Sequence, residues 1–377
     1  MGKVLLVTND FPPTIGGIQS YLRDFLSTLD PADVVVFAST QDFVAAREYD
    51  ASLPFPVVRW PRKVMLPTPA TAKKMTQLIN DFGIDTVWFG AAAPLALMAK
   101  AAHKAGARRV VASTHGHEVG WSMLPGARQA LRFIGEHTDV ITYISGYTLG
   151  RFRRAFGPHA SWAHLPSGVD PERFAPLPTG QRERVLVDLK APKEAPLVVC
   201  VSRLVPRKGQ DALIRALPLI QERVPQAQLV LVGQGSYEQK LRHMASSSPS
   251  ADSIRFTGRV SEEEMVSWLQ VASVVAMPCR TRGWGLDVEG LGIVFLEGQS
   301  CGVPVVAGDS GGAPETVTES SGVVVDGRNV PKVAAAVAAI LEDPAHAQAM
   351  GAAGRKHVLE EWTWEVMGAR LRALLSN

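Results

Sequence analysis

The sequence is sparing with cysteine: Cys200, Cys279 and Cys301 are the only three in 377 residues, widely spaced and set in apolar runs. An odd number so placed excludes a disulfide framework or a zinc site, and leaves buried free thiols in a reducing compartment as the expectation. No stretch approaches the roughly 18 to 20 uninterrupted apolar residues of a membrane span. Met1 to Asp10 carries only a short apolar run, without the layout of a signal peptide, and reads as a first buried strand in a cytoplasmic chain. Charge of one sign is scarce as well. The net charge of +3, with 20% charged residues, falls short of a nucleic-acid-binding surface but suits anionic ligands or an anionic bilayer. Low-complexity tracts, short repeats and the G-x-G-x-x-G dinucleotide fingerprint are missing, and the last of these argues against an NAD-dependent dehydrogenase.

What is present is a chain long enough for two domains, 46% hydrophobic and with 33 glycines, the composition of an α/β protein rich in strand-to-helix turns. Short β-branched runs alternate with helical periodicity, the pattern of a parallel sheet with crossover helices. Strands are expected over Val4 to Val7, Val34 to Ala38, Val57 to Trp60, Thr86 to Phe89, Val110 to Ser113 and Val140 to Ile144. Helices are expected over Ile18 to Leu29, Ala70 to Phe82, Pro94 to Ala105 and Gly126 to His137. The pattern restarts with strands at Leu197 to Val201, Leu229 to Val232, Ile254 to Phe256, Val274 to Met277, Val303 to Val306 and Val323 to Val325, and Ser261 to Glu264 reads as a capping box. Leu165 to Pro171 is rich in turn formers and serves as a hinge, giving domains 1–167 and 168–362. An amphipathic tail at about 363–377 (Trp364, Met367, Leu371, Leu374) is expected to pack back on the first domain. The expected fold class is α/β, two Rossmann-like doubly wound parallel sheets facing a central cleft, which suits a two-substrate enzyme.

The most informative segment is Asp287 to Glu297, with two glutamates separated by seven intervening residues. Gly290 and Gly292 permit close approach of backbone to a ligand, and the amides of a helix opening there, at Ile293 and Val294, suit a pyrophosphate. Glu297, about a turn inside, could accept from two ribose hydroxyls, while Glu289 could reach a sugar. By itself the spacing also fits two solvated glutamates. The segment Ser202 to Gln210 places Arg203 and Lys208 at a turn where cations can neutralise a departing diphosphate; a basic solvated turn is the plain alternative. In Asn9 to Gly17, Gly16 and Gly17 can bring amides to phosphate, or can serve only the backbone angles of the turn. His115, His117 and Glu118 share one loop. At spacing two the histidines would point oppositely on a strand, and H-x-H-E lacks zincin geometry, so hydrogen bonding to a sugar is preferred over metal binding. Gly311 to Glu315 could add amides near the phosphates, whereas Asp326-Gly327 reads as a plain turn. Arg62, Lys63, Met65 and Leu66, in a proline-rich loop before a helix bearing Lys73 and Lys74, together with Arg151, Arg153 and Arg154, suit an anionic bilayer surface or plain solvation.

Taken together and in this order, Asn9 to Ser20, Trp88 to Leu97, Ser113 to Pro125, Ser202 to Asp211 and Asp287 to Glu297 resemble the retaining glycosyltransferases of family 4. Within them they resemble the actinobacterial branch that builds phosphatidylinositol mannosides, lipomannan and lipoarabinomannan. The resemblance implies the GT-B fold, GDP-mannose as donor, and a phosphatidylinositol monomannoside as acceptor at the inner leaflet, where the enzyme is peripheral. It implies Arg203 and Lys208 on the diphosphate, Val260 on the guanine through its backbone, Glu297 on the ribose, Glu289 on the mannose and Gly16 beside the phosphates. Asp10 and His115 would lie nearest the reacting centre. Independently of the resemblance, Arg62, Lys63 and His117 are expected on the acceptor or membrane side. Retention by front-face departure needs no protein nucleophile. That agrees with the absence of paired carboxylates like those of a double-displacement glycosidase and of an evident D-x-D metal motif, so no cofactor is expected. A GT-B nucleotide-sugar epimerase, a family 4 enzyme with another sugar or acceptor, and a non-catalytic sugar-nucleotide-binding protein are the rivals, and the sequence leaves the oligomeric state open.

Overall fold

The computed structural model describes residues 2–376. It divides into two compact units: the described residues up to Gly168 together with those from Trp364 onward, and Val169–Thr363.

The first unit holds a seven-stranded sheet: β1 (Val4–Thr8), β2 (Val34–Ser39), β3 (Val57–Trp60), β4 (Thr86–Phe89), β5 (Arg109–Ser113), β6 (Val140–Tyr143) and β7 (Ser161–His164). Their order is β3-β2-β1-β4-β5-β6-β7, every pair parallel. The central strands are buried along their whole length. This explains why they read as unbroken apolar runs rather than alternating ones, since helices cover both faces of such a sheet. After β3 the chain returns to place β4 beside β1, so the loops following β1 and β4 flank the point where strand order reverses, where open α/β sheets bind ligands.

The second unit repeats the plan with six strands: β8 (Leu197–Val201), β9 (Gln228–Val232), β10 (Ile254–Gly258), β11 (Val274–Met277), β12 (Val305–Gly308) and β13 (Gly322–Val325). The order β10-β9-β8-β11-β12-β13 puts its reversal between β8 and β11. The basic segment Ser202 to Gln210 leaves β8, and the stretch leading to Asp287 and Glu289 leaves β11.

Several local departures from the sequence expectation have physical causes. The helix Gly17–Leu26 stops early because Ser27 and Thr28 turn their hydroxyls back onto the carbonyls of Asp24 and Phe25. The strand expected from Val303 starts at Val305, after Pro304, which has no amide to donate and whose carbonyl accepts from Val275. The expected helix Pro94 to Ala105 is a 3-10 turn, Leu95–Met98, followed by a helix Ala99–Lys104. Ser261 caps the helix Glu262–Val271 by accepting from the Glu264 amide. Glu264 does not complete the box: its carboxylate accepts from Trp268 Nε1 four residues on. The helix Phe43–Ala51 and strand β7 were not read from the sequence.

The C-terminal helix Trp364–Ser376 packs against the helix Gly17–Leu26 and the strands β4 and β5. Met367, Gly368, Leu371 and Leu375 are its buried residues, with Leu375 taking the inward place expected of Leu374. Its end is tied down by Thr86 Oγ1 donating to the Leu375 carbonyl (3.0 Å) and Arg109 Nε donating to the Leu374 carbonyl (2.6 Å).

Candidate active site

In the second unit, the turn after β8 is built before it is functional. Buried Gln210 donates from Nε2 to Ser202 Oγ (2.8 Å) and to the Arg203 carbonyl (3.0 Å), fixing the turn from inside. Gly209 adopts φ 81°, and a Cβ there would meet the Pro278 carbonyl oxygen at 2.1 Å, so only glycine lets this turn close on the loop after β11. Arg203 is left exposed, while Arg207 and Lys208 are half-buried.

Glu289 meets these cations. Its side chain is 10% exposed, and its Oε2 lies 2.6 Å from Lys208 Nζ and 4.0 Å from Arg207 Nε. The loop after β12 holds its backbone: Gly312 donates to the Glu289 carbonyl (2.9 Å), and the Glu289 amide donates to Ser310 Oγ (3.4 Å). Gly311 (φ 60°) passes so close that a Cβ would lie 1.8 Å from the Glu289 oxygen. The glycine pair Gly311-Gly312 therefore braces Glu289, and the amide of Gly312 is already used for this rather than being spare for phosphate. Asp326 closes a plain turn, accepting from the Arg328 amide.

Gly292 (φ 87°) caps the short helix Ile293–Ser300, which Ile293 and Val294 open; Gly290 lies two residues before the cap. Glu297 is half-buried on it. Burial raises its pKa to about 7, against the pull of Arg173 and with a push from Glu262. A carboxyl so poised ionises most readily when hydroxyls donate to it. Val260, in the loop after β10, packs against the apolar cluster around Leu186 and Trp268.

In the first unit, the loops after β1, β4 and β5 meet. His115 Nε2 donates to the Gly90 carbonyl at 2.7 Å, the carbonyl fixing which nitrogen holds the proton. The edge of Tyr21 packs on the ring, with centroids 4.9 Å apart. Burial lowers the His115 pKa to about 4, the Gly90 contact opposing and His117 adding to the shift. The ring is therefore neutral at physiological pH, with Nδ1 as an acceptor; it can receive a hydroxyl hydrogen bond but cannot act as an acid. Glu118, fully buried, accepts from the amides of His115 (3.1 Å) and Gly116 (3.0 Å) through Oε2, shaping the loop. Its pKa is raised, chiefly by burial. The two histidines do not point oppositely: residues two apart share one face even of an extended chain, β5 ends at Ser113, and the rings lie nearly parallel with centroids 6.5 Å apart. His117 is exposed, its Nε2 3.3 Å from Glu118 Oε1.

Asp10 accepts from Gln19 Nε2 at 3.2 Å, and burial raises its pKa against the influence of His117. Gly16 caps the helix that Gly17 begins. Asn9 pairs like a strand residue with Met65, its Nδ2 donating to the Met65 carbonyl (2.9 Å) and its Oδ1 accepting from the Met65 amide (2.7 Å). That contact buries Met65 completely, so the apolar residues displayed beside exposed Arg62 and Lys63 are Val64 (57% exposed) and Leu66 (55%), not Met65.

The sequence reading therefore named Arg203, Lys208, Glu289, Glu297, His115 and Asp10 but missed Arg207, Gln210, Asn9 and the bracing part of Glu118. Only Glu118 left a local signal, standing three residues after the amide it accepts from. The structure brings Lys208 and Glu289 into contact and groups Asp10, His115 and His117 through their mutual electrostatics. Among the described residues no cluster of three or more His, Cys, Asp or Glu has metal-holding geometry. All three cysteines are buried and free.

Comparison with known proteins agrees with this arrangement. Residues 15–173 match the family described as Glycosyltransferase Family 4, and residues 181–357 match Glycosyl transferases group 1. The full chain is 57% identical, over 98% of its relative, to a GDP-mannose-dependent monoacylated alpha-(1-6)-phosphatidylinositol monomannoside mannosyltransferase of Corynebacterium glutamicum. Over 99% of this chain and 98% of the relative, it is 55% identical to a GDP-mannose-dependent alpha-(1-6)-phosphatidylinositol monomannoside mannosyltransferase of Mycolicibacterium smegmatis. Among solved structures, Anabaena HepE in complex with UDP superposes with TM-score 0.80 at 19% identity, covering 99% of both chains. A sucrose-phosphate synthase from Thermosynechococcus elongatus gives 0.78 at 21%, covering 99% of this chain and 98% of its own; both show the fold alone. The two parallel-sheet units are those of the GT-B fold, and the chain belongs to the family 4 glycosyltransferases, in the branch of the phosphatidylinositol monomannoside mannosyltransferases.

Proposed function

We propose that this hexosyltransferase moves mannose from GDP-mannose to the inositol of a phosphatidylinositol monomannoside, forming an α-1,6 linkage with retained anomeric configuration. The observation that carries the reading is a cluster of cations around one buried carboxylate, Glu289, at the strand-order reversal of the second sheet. It occurs in a chain 57% identical end to end to a transferase of that description. Cations held in place at this point stabilise the diphosphate as the glycosidic bond breaks, without reorganising.

On this reading the second unit is the donor side. Arg203 and Lys208 hold the diphosphate, Glu297 the ribose, Val260 the guanine through its backbone, and Glu289 the mannose; Gly290, Gly292, Ile293 and Val294 supply close-approaching backbone. In the first unit Gly16 and Gly17 serve the phosphates, and Asp10 and His115 serve the reacting centre. His115 acts there as a neutral acceptor for a sugar hydroxyl, in keeping with its lowered pKa. His117, Arg62 and Lys63 are assigned to the acceptor side. The charge of the departing GDP is met by side chains and helix amides, so no divalent cation is required.

No helix of the described residues is long and apolar enough to cross a membrane. We assign the chain to the cytoplasmic face of the plasma membrane as a peripheral enzyme, because exposed Val64 and Leu66 stand beside exposed Arg62 and Lys63. Apolar groups mixed with cations favour an anionic bilayer surface.

The test is incubation with labelled GDP-mannose and either phosphatidylinositol or its monomannoside. A dimannosylated product from the monomannoside alone is expected, undiminished by EDTA. Transfer to another acceptor with none to the monomannoside would overturn the acceptor assignment. Loss of transfer in EDTA that magnesium restores would overturn the metal-independent one.

A further inference from the structure

Lys208 is assigned to the diphosphate, yet its ammonium is engaged with Glu289, both side chains nearly buried at 12% and 10% exposed. To serve the donor, Lys208 must leave a buried carboxylate, and a buried charge that loses its partner is strongly destabilising. A replacement stands alongside. Arg207 Nε is buried without a hydrogen-bond partner, and so is Glu289 Oε2, whose contact with Lys208 lacks directed hydrogen-bond geometry. These two orphans lie 4.0 Å apart. Buried polar atoms are seldom left unpaired, so a facing donor and acceptor just beyond bonding distance mark an interaction that another state completes. Arg207 is already anchored for it, with Nη1 donating to Asp287 Oδ1 at 3.3 Å. Asp287 is in turn bonded through its backbone to Arg282.

We infer that Arg207 is a positioning residue that takes over Glu289 when the donor draws Lys208 away: Lys208 Nζ moves to the diphosphate, and Arg207 Nε closes onto Glu289 Oε2. The carboxylate then keeps a cationic partner and its aim at the sugar while the lysine is released. This deepens the donor assignment and rests on it. The exchange breaks one ion pair and completes another, with no net proton transfer.

The experiment is a double-mutant cycle on GDP affinity, measured by titration calorimetry with wild type, Arg207→Gln, Glu289→Gln and the double variant, with Arg207→Lys and Lys208→Gln alongside. Arg207→Gln should weaken GDP binding about tenfold, because binding now strands Glu289. On the Glu289→Gln background the same change should cost less than about twofold, since no charge remains to be stranded. Glu289→Gln alone should bind GDP at least as tightly as wild type, its lysine being already released. Arg207→Lys should recover part of the loss. Equal losses on both backgrounds, or none on either, would overturn the handover, and thermal midpoints without ligand separate it from misfolding. If Lys208→Gln leaves GDP affinity unchanged, the donor assignment itself fails, an outcome distinct from failure of the handover alone.

Discussion

The two units place functional side chains at the same topological position and solve opposite electrostatic problems there. After β8 and β11, charge is abundant and balanced by opposite charge: Lys208 and Arg207 face Glu289, and Arg207 also meets Asp287. After β4 and β5, charge is suppressed. His115 is held neutral by burial, against the opposing influence of its bond to Gly90, and Asp10 and Glu118 are both shifted toward their neutral forms by burial. A region that must grip a diphosphate needs cations, which the fold itself balances with carboxylates. A region that offers hydrogen bonds to sugar hydroxyls needs fixed, uncharged groups that cost nothing to reorganise.

The largest expected effect breaks the charged side of this comparison. Lys208→Ala should lower kcat by roughly 10²–10³, the usual result of deleting one stabilising group at a developing charge. Steady-state transfer assays check it, and a loss below tenfold would show that the lysine only balances Glu289. Next comes Glu297, whose folded-state pKa near 7 lies above the ordinary 4.5. Folding then favours the protonated form, so its contribution is complete below about pH 4.5 and is lost as pH rises through about 7. Glu297→Gln lacks this dependence and should gain up to about 3 kcal/mol on wild type between pH 4.5 and 8. Denaturant melts across that range decide, and a constant gap would refute the burial account.

A smaller effect concerns the surface of the first unit. Arg62→Ser with Lys63→Ser should weaken binding to anionic vesicles by about 1 kcal/mol per charge, leaving GDP affinity alone; equal binding by wild type and variant would remove the membrane assignment. The smallest sharpens the neutral side. With a pKa near 4, the His115 imidazole should show no protonation from pH 9 down to about 5 in ring NMR shifts. Titration near 6.5 would contradict its buried placement.

Much of the fold was legible because buried parallel strands write themselves as continuous apolar runs; β3, β4, β8 and β11 match their expected bounds residue for residue. Strand β7 escaped because Ser-Trp-Ala-His is partly polar and lies at the sheet edge. In the site, residues with a motif were visible and residues acting through distant partners were not. Asn9 matters because of Met65, 56 positions away, and Arg207 because of Asp287, 80 positions away. Neither separation leaves a local pattern. Met65 was read as exposed for the same reason: its neighbours in sequence are exposed, and only the distant asparagine turns it inward.

The contrast between a charged donor region and a neutral histidine region is tested most directly by titrating GDP into wild type, Lys208→Gln and His115→Ala. The account predicts that Lys208→Gln weakens GDP binding by about tenfold or more, whereas His115→Ala leaves it within about twofold while transfer falls. Loss of GDP affinity in His115→Ala as large as in Lys208→Gln would contradict it.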